Sequence, residues 1–292
     1  MRLLERLYFY GLRLIAPITI AAAFVHVALG LLYALLTFSW IGRRRRDSAI
    51  MTWSRILLLI IGVRLQSFGQ APRPGRTQGA EESMGALLLA NHTSWLDVFS
   101  IAAVVPARFV SKSEIARWPV FGWLAIAVGT LFVERGRRHA VARANQAVAE
   151  RLRSGQLIAV FPEGTTTDGS RLLPFHANLV QPALEMGAPV RPVGVRFTQR
   201  GEFSQAAMYI DDMNVLRSLW RIVTAPYLAV ELHWLPPIDP PPRGRHEAAR
   251  SARAAIAQAL AIPLEELESA SSDDEPAGTA PGTPAAAASS SR

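Results

Sequence analysis

From Leu14 to Gly42 the chain carries no Asp, Glu, Lys or Arg. That run exceeds the roughly 20 apolar residues a membrane-spanning helix needs, so it belongs in lipid. A cleaved signal peptide has an apolar core of only about 7 to 15 residues and fits the length poorly. Pro17 near the start and His26 within it predict a kinked or partly interfacial helix rather than a clean span. Four arginines, Arg43 to Arg46, follow at once. By the positive-inside rule they place this flank in the cytoplasm, although Arg2, Arg6 and Arg13 on the other side weigh against it. A second apolar segment, Ile50 to Val63, is interrupted by Arg55 and too short to span. It reads as an interfacial helix or, equally, as a buried core helix. Residues 1–64 are therefore expected to form a membrane-anchoring helical segment.

The remainder predicts an α/β domain over residues 65–268, with a central mixed, largely parallel sheet flanked by helices. Short apolar runs at Leu87–Asn91, Arg108–Lys112, Leu131–Val133, Leu157–Phe161, Pro189–Phe197 and Tyr227–Trp234 read as strands. Between them His139–Arg153, Asn178–Met186 and His246–Ala261 have helical spacing. Residues 71–83, rich in Pro, Gly, Arg and Gln, read as a loop. The segment from Glu114 to Gly129 is expected either as a core helix or as a lipid-facing ledge. Residues 269–292 are Ser, Ala, Pro, Gly and acid, a composition that predicts a disordered tail.

Composition removes whole classes of chemistry. The 292 residues include no cysteine, which excludes thiol catalysis, disulfides and thiolate metal sites. Six histidines lie scattered without ligand spacing, so no metal site is expected. The net charge of +8 calls for an anionic partner. With no RNA-binding signature or zinc finger present, anionic lipid is expected rather than nucleic acid. All the basic residues but Lys112 are arginine, which suits bidentate contact with phosphate.

The stretch LLLANHTSWLDVFS, Leu87 to Ser100, reads as strand, turn and helix. Ser94 followed three residues later by Asp97 fits a capping box, with Ser94 as N-cap and Asp97 at N3. His92 then stands just outside the helix start, where Asp97 can fold back onto one ring nitrogen and leave the other to take a proton from a hydroxyl. The two form a candidate catalytic dyad. The same spacing taken alone also describes a capping acid beside a strand-end histidine. A second constellation closes the strand LIAVF. There Pro162, Glu163 and Gly164 make a tight exit, followed by Thr165, Thr166 and Thr167. In parallel sheets ligands bind at the carboxyl ends of strands, and His92, Glu163 and Arg135 all fall at such ends.

These motifs together resemble the glycerolipid acyltransferases, specifically the bacterial 1-acylglycerol-3-phosphate acyltransferase family. NHTSWLD matches its NHxxxxD box, GTLFVER at Gly129–Arg135 its second box, FPEGTTTDG its third and VRPVGV at Val190–Val195 its fourth, in family order. The resemblance implies direct transfer. His92, oriented by Asp97, would deprotonate the hydroxyl of a lysophospholipid, which attacks the thioester of acyl-CoA or acyl carrier protein. The donor is a substrate, and no cofactor or covalent acyl-enzyme is implied, in keeping with the absence of a GxSxG elbow. Arg135 would hold an acceptor phosphate, and Glu163, Gly164 and Thr165 would position the acceptor. The product would be phosphatidic acid, made at the bacterial cytoplasmic membrane with the catalytic domain facing the cytoplasm.

Two departures widen the choice of acceptor. Thr166 stands where many members carry arginine, and PFHANL replaces the usual PFKSGA. The FPEGTTTDG form also resembles members acting on other lysolipids, including lyso-ornithine lipid, which lacks phosphate. Two rivals of other classes are a thioester hydrolase using the same dyad and a silent lipid-binding scaffold. The long lipid anchor argues against the first and the intact motifs against the second.

Overall fold

A computed structural model describes residues 3–74, 84–118, 121–133, 138–210, 213–238 and 243–265. The charge-free segment forms α1 (Leu3–Thr37), an uninterrupted helix that carries Pro17 inside it. It is followed by α2 (Arg43–Ile60). One face of α1 is not free. Ala16, Ile20 and Ala23 are buried, and they belong to the same apolar core as Ile50, Leu57 and Leu58 of α2. The small Ala16 and Ala23 let α1 lie close on the domain, while Leu14, Ile18, Leu29, Leu35 and Leu36 face outward. In the second apolar segment Leu57 and Leu58 are buried in the core, as the core-helix reading expects, whereas Leu59 is 78% exposed.

The rest is a mixed sheet between helices, as expected. Its strands are β1 (Arg64–Gly69), β2 (Ala86–Ala90), β3 (Ala107–Lys112), β4 (Leu131–Val133), β5 (Leu157–Val160), β6 (Val190–Gln199), β7 (Glu202–Phe203) and β8 (Leu228–Trp234). In space the order is β1-β8-β6-β2-β5-β3-β4, with β7 folded back on β6. Only the β6–β8 and β6–β7 pairings are antiparallel. The helices are α3 (Leu96–Val104), α4 (Phe121–Ala127), α5 (Arg138–Arg153), α6 (Gln181–Glu185), α7 (Val215–Val223) and α8 (Arg245–Leu260). The segment read as one helix from Asn178 is split into a 3-10 turn, Ala177–Leu179, and α6, which starts with Pro182 in its first turn.

Strand β2 is buried along its whole length, and its side chains alternate between two cores, as a period of two requires. Leu88 and Ala90 join the core beneath α2 and α3, whereas Leu87 and Leu89 join the one beneath α5, α6 and α8. The topology has a consequence for ligand binding. After β2 the chain turns to the first face, where Leu96 and Ile101 of α3 are buried; after β5 it turns to the second, where Ala177, Val180 and Ala183 are buried. β2 and β5 are hydrogen-bonded parallel neighbours. Ligands of such sheets bind where chains leave adjacent strands in opposite directions, at the carboxyl ends, and here His92 and Glu163 both stand at that point.

Candidate active site

His92 lies two residues past β2, and its ring is fixed from two sides. Nδ1 is 2.8 Å from Asp97 Oδ2. The same oxygen accepts the backbone N–H groups of Thr93 at 2.7 Å and Ser94 at 2.9 Å. An oxygen serving two backbone donors is an acceptor, so His92 Nδ1 donates to it, and in the neutral ring the lone pair is then on Nε2. The ring also stacks on Phe161, with centroids 4.0 Å apart and planes 16° from parallel. Asp97 is fully buried whereas the His92 side chain is 20% exposed: the orienting acid is sealed and the base keeps access to solvent.

The capping box is half formed. Asp97 reaches back to the Ser94 N–H, as the acid of such a box does. The Ser94 hydroxyl instead accepts from the Leu96 N–H at 3.3 Å, and the residue flanking α3 is Trp95, not Ser94. Asp97 therefore sits one position nearer the helix start than N3.

The family resemblance implies that Glu163 positions the acceptor; in the structure both of its oxygens accept backbone N–H groups. Oε1 accepts the His92 N–H at 2.7 Å and Oε2 the Leu173 N–H at 3.1 Å. Burial pushes its carboxyl up to about 7, against the pull of these two donors; the negative charge of Asp97 adds to the rise and Arg253 opposes it. The carbonyl of His92 is held as well, by the Thr167 N–H at 2.9 Å. Gly164 takes a φ of 73°, the left-handed conformation its place in the exit turn requires. Thr165 is exposed beside it. Thr166, the departure from the arginine pattern, donates its hydroxyl to the Tyr209 carbonyl. His176, the other departure, gives its backbone N–H to the Pro162 carbonyl at 2.9 Å.

Asn91 was invisible as a site residue. Its side-chain oxygen accepts the Val195 N–H at 2.7 Å and its amide donates to the Val195 carbonyl at 2.9 Å. The amide thus continues the β2–β6 ladder one rung beyond the strand, to the base of His92. A buried polar residue at a strand end was the available signal, since such a group needs partners. Arg135 lies outside the described residues. Lys112 ends β3 in register with Val133 of β4, so the chain's only lysine stands at the same carboxyl edge of the sheet. No cluster of three or more metal-ligating side chains occurs among the described residues.

Residues 75–196 match the family model described as Acyltransferase. A lyso-ornithine lipid O-acyltransferase of Pseudomonas aeruginosa is 38% identical over 185 residues, 63% of this chain and 71% of that one. This chain belongs to the lysophospholipid acyltransferase family. A second member, the 1-acyl-sn-glycerol-3-phosphate acyltransferase of Neisseria meningitidis, is 35% identical over 190 residues, 65% of this chain and 71% of the other. The crystal structure of the 1-acyl-sn-glycerophosphate acyltransferase of Thermotoga maritima shares the fold, with a TM-score of 0.61 at 18% identity, covering 88% of this chain and 96% of that one. The protein is an O-acyltransferase of the lysolipid type, and among its described residues Phe9–Thr37 is one helix long and apolar enough to cross a membrane.

Proposed function

We propose that His92 acts as general base in a direct acyl transfer from acyl-CoA or acyl carrier protein to a lysolipid hydroxyl. The observation that carries this reading is the Nδ1–Asp97 bond, which in the neutral ring leaves the Nε2 lone pair to act as base on a side chain that is 20% exposed. Nε2 takes the hydroxyl proton as the oxygen attacks the thioester carbonyl. Collapse of the tetrahedral intermediate breaks the C–S bond, and the imidazolium returns the proton to the departing thiolate. Asp97 stabilises the transient imidazolium through the same hydrogen bond. In this reading Glu163 positions His92 by its backbone and does not contact the acceptor. The four arginines after α1 support a cytoplasmic-membrane location with the domain on the cytoplasmic side.

For the acceptor, we favour lyso-ornithine lipid. Thr166 replaces a phosphate-binding arginine, and its hydroxyl is spent on the Tyr209 carbonyl. Relatives named for lyso-ornithine lipid in Pseudomonas aeruginosa and Rhodobacter capsulatus are each 38% identical to this chain. The second reading is 1-acylglycerol-3-phosphate, supported by the Neisseria relative and by Arg135 of the second box. Purified protein incubated with labelled acyl-CoA and each lysolipid decides between them. A higher kcat/KM for lyso-ornithine lipid is expected. A preference for 1-acylglycerol-3-phosphate, with Arg135→Ala raising its KM about tenfold to a hundredfold and sparing that of the donor, would reverse the choice. Release of free fatty acid with no acceptor consumed would identify a hydrolase instead.

A further inference from the structure

At the opposite edge of the sheet, three guanidinium groups converge around few acids. Arg108 enters β3 nine-tenths buried and pairs with Asp47 of α2. Arg43, one turn earlier on α2, reaches the other oxygen of Asp47 at 3.8 Å and donates to the Ser154 carbonyl at 3.1 Å. Arg151 lies near the end of α5, and burial together with the charges of Arg108 and Arg43 holds its pKa below the usual arginine value. Gly129 stands between them, and a Cβ there would lie 3.4 Å from Arg108 and 3.5 Å from Arg151 Nη1.

Two observations show that Asp47 does not complete the cluster. Arg108 Nη1 is buried and has no hydrogen-bond partner among the described residues. Such a donor is costly unless something accepts from it. In addition, α2 begins with Arg43, Arg44, Arg45 and Arg46, with no acid in its first turn and no side-chain cap from Gly42. The positive end of a helix dipole favours anions and disfavours this run of cations.

We propose that Arg43, Arg108 and Arg151 form a second anion site, which takes a phosphate group carried by a phospholipid headgroup or free in solution. Guanidinium forks match phosphate oxygens in pairs, and one dianion would balance the charge that Asp47 leaves uncompensated. The site is separate from the catalytic one. Arg108 is in register with Ile158, and Ile158 with Leu87, five residues before His92; five strand residues span about 16 Å. A membrane source fits the surroundings, because Trp40, 87% exposed, lies in the α1–α2 turn next to outward-facing Leu35 and Leu36, and tryptophan favours the lipid–water boundary.

The test compares Arg43→Gln/Arg151→Gln with the charge-matched Arg44→Gln/Arg45→Gln, which alters the other side of α2, using the full chain in neutral detergent. One arm measures thermal unfolding in sodium phosphate against sodium chloride at equal ionic strength. The other measures flotation with phosphatidylcholine vesicles, with and without phosphatidylglycerol. If free phosphate is the ligand, it raises the Tm of the wild type and of the Arg44/Arg45 variant, and this rise is lost in the Arg43/Arg151 variant. If a headgroup is the ligand, the Arg43/Arg151 variant loses affinity for phosphatidylglycerol vesicles by about tenfold more than its control. Equal behaviour of the two variants in both arms would overturn the proposal and reduce the cluster to a tie between α2 and α5.

Discussion

Among the described histidine side chains, His92 is the one held by a fully buried carboxylate, whereas His233 meets the part-exposed Glu231 at 3.4 Å. His92→Ala is expected to lower kcat by about 10²- to 10⁴-fold with an unchanged circular dichroism spectrum. Asp97→Asn retains an oxygen for the Nδ1–H but places an amide N–H₂ where Oδ1 is buried without a partner. It should lower kcat and also destabilise the α3 start by about 0.5 to 2 kcal/mol, read by thermal unfolding. Glu163 makes a pH prediction. Its folded pKa of about 7 lies above the ordinary 4.5, so between these values the unfolded chain has lost a proton that the native state keeps. Stability from this group is full below about 4.5 and is lost as the pH rises through about 7. In Glu163→Gln that loss, on the order of 3 kcal/mol, should vanish from a comparison of unfolding at pH 5 and pH 8. The variant should be less stable at pH 5 by about 1 to 3 kcal/mol, because an amide cannot accept from both the His92 and Leu173 N–H groups. The His92–Asp97 pair was legible in the sequence because five residues and one turn bring it together. Asn91 and the backbone duty of Glu163 were not, since their partners Val195, His92 and Leu173 are set by the folded sheet.

Among elements, the strands of the catalytic edge announced themselves as apolar runs bounded by Asn, Pro or Gly, and β2, β3, β4, β5, β6 and β8 all lie where those runs do. β1 did not, because RLQSFG is an edge strand of mostly exposed residues and has no buried face to impose alternation. Nor did α7, a single short helix whose signal is the Asn214 cap accepting the Arg217 N–H at 2.8 Å. The pairing of α1 with α2 also depends on a contact that no local pattern reveals. A Cβ on Gly30 would come within 2.1 Å of the Trp53 indole nitrogen. That ring cannot swing aside freely: it stacks on His26 at 5.0 Å and donates to the His26 carbonyl at 3.2 Å. Gly30→Ala gains about 1 kcal/mol of helix propensity, but overpacking costs typically 1 to 3, so a net loss of stability with a shift in tryptophan emission is expected.

For the molecule as a whole, the sequence boundary at residue 64 does not coincide with a boundary of packing. Ile50, Leu57, Leu58, Ile61 and Val63 belong to the core shared with β2, β8 and α3. Deleting residues 1–64 should therefore give an aggregated chain rather than a soluble, active domain, as measured by size-exclusion chromatography. The backbone of His92 carries a final consequence. Its N–H is taken by Glu163 and its carbonyl by Thr167, partners 71 and 75 positions away, while the rung beneath it waits on Val195, 104 positions on. A nascent chain that has emerged only through α5 holds the whole His92–Asp97 sequence and none of the partners that clamp the backbone beneath it. Contacts of such long loop closure form late, so competence for transfer should arrive after the helices during refolding, and a ribosome-stalled chain ending before Val195 should be inert.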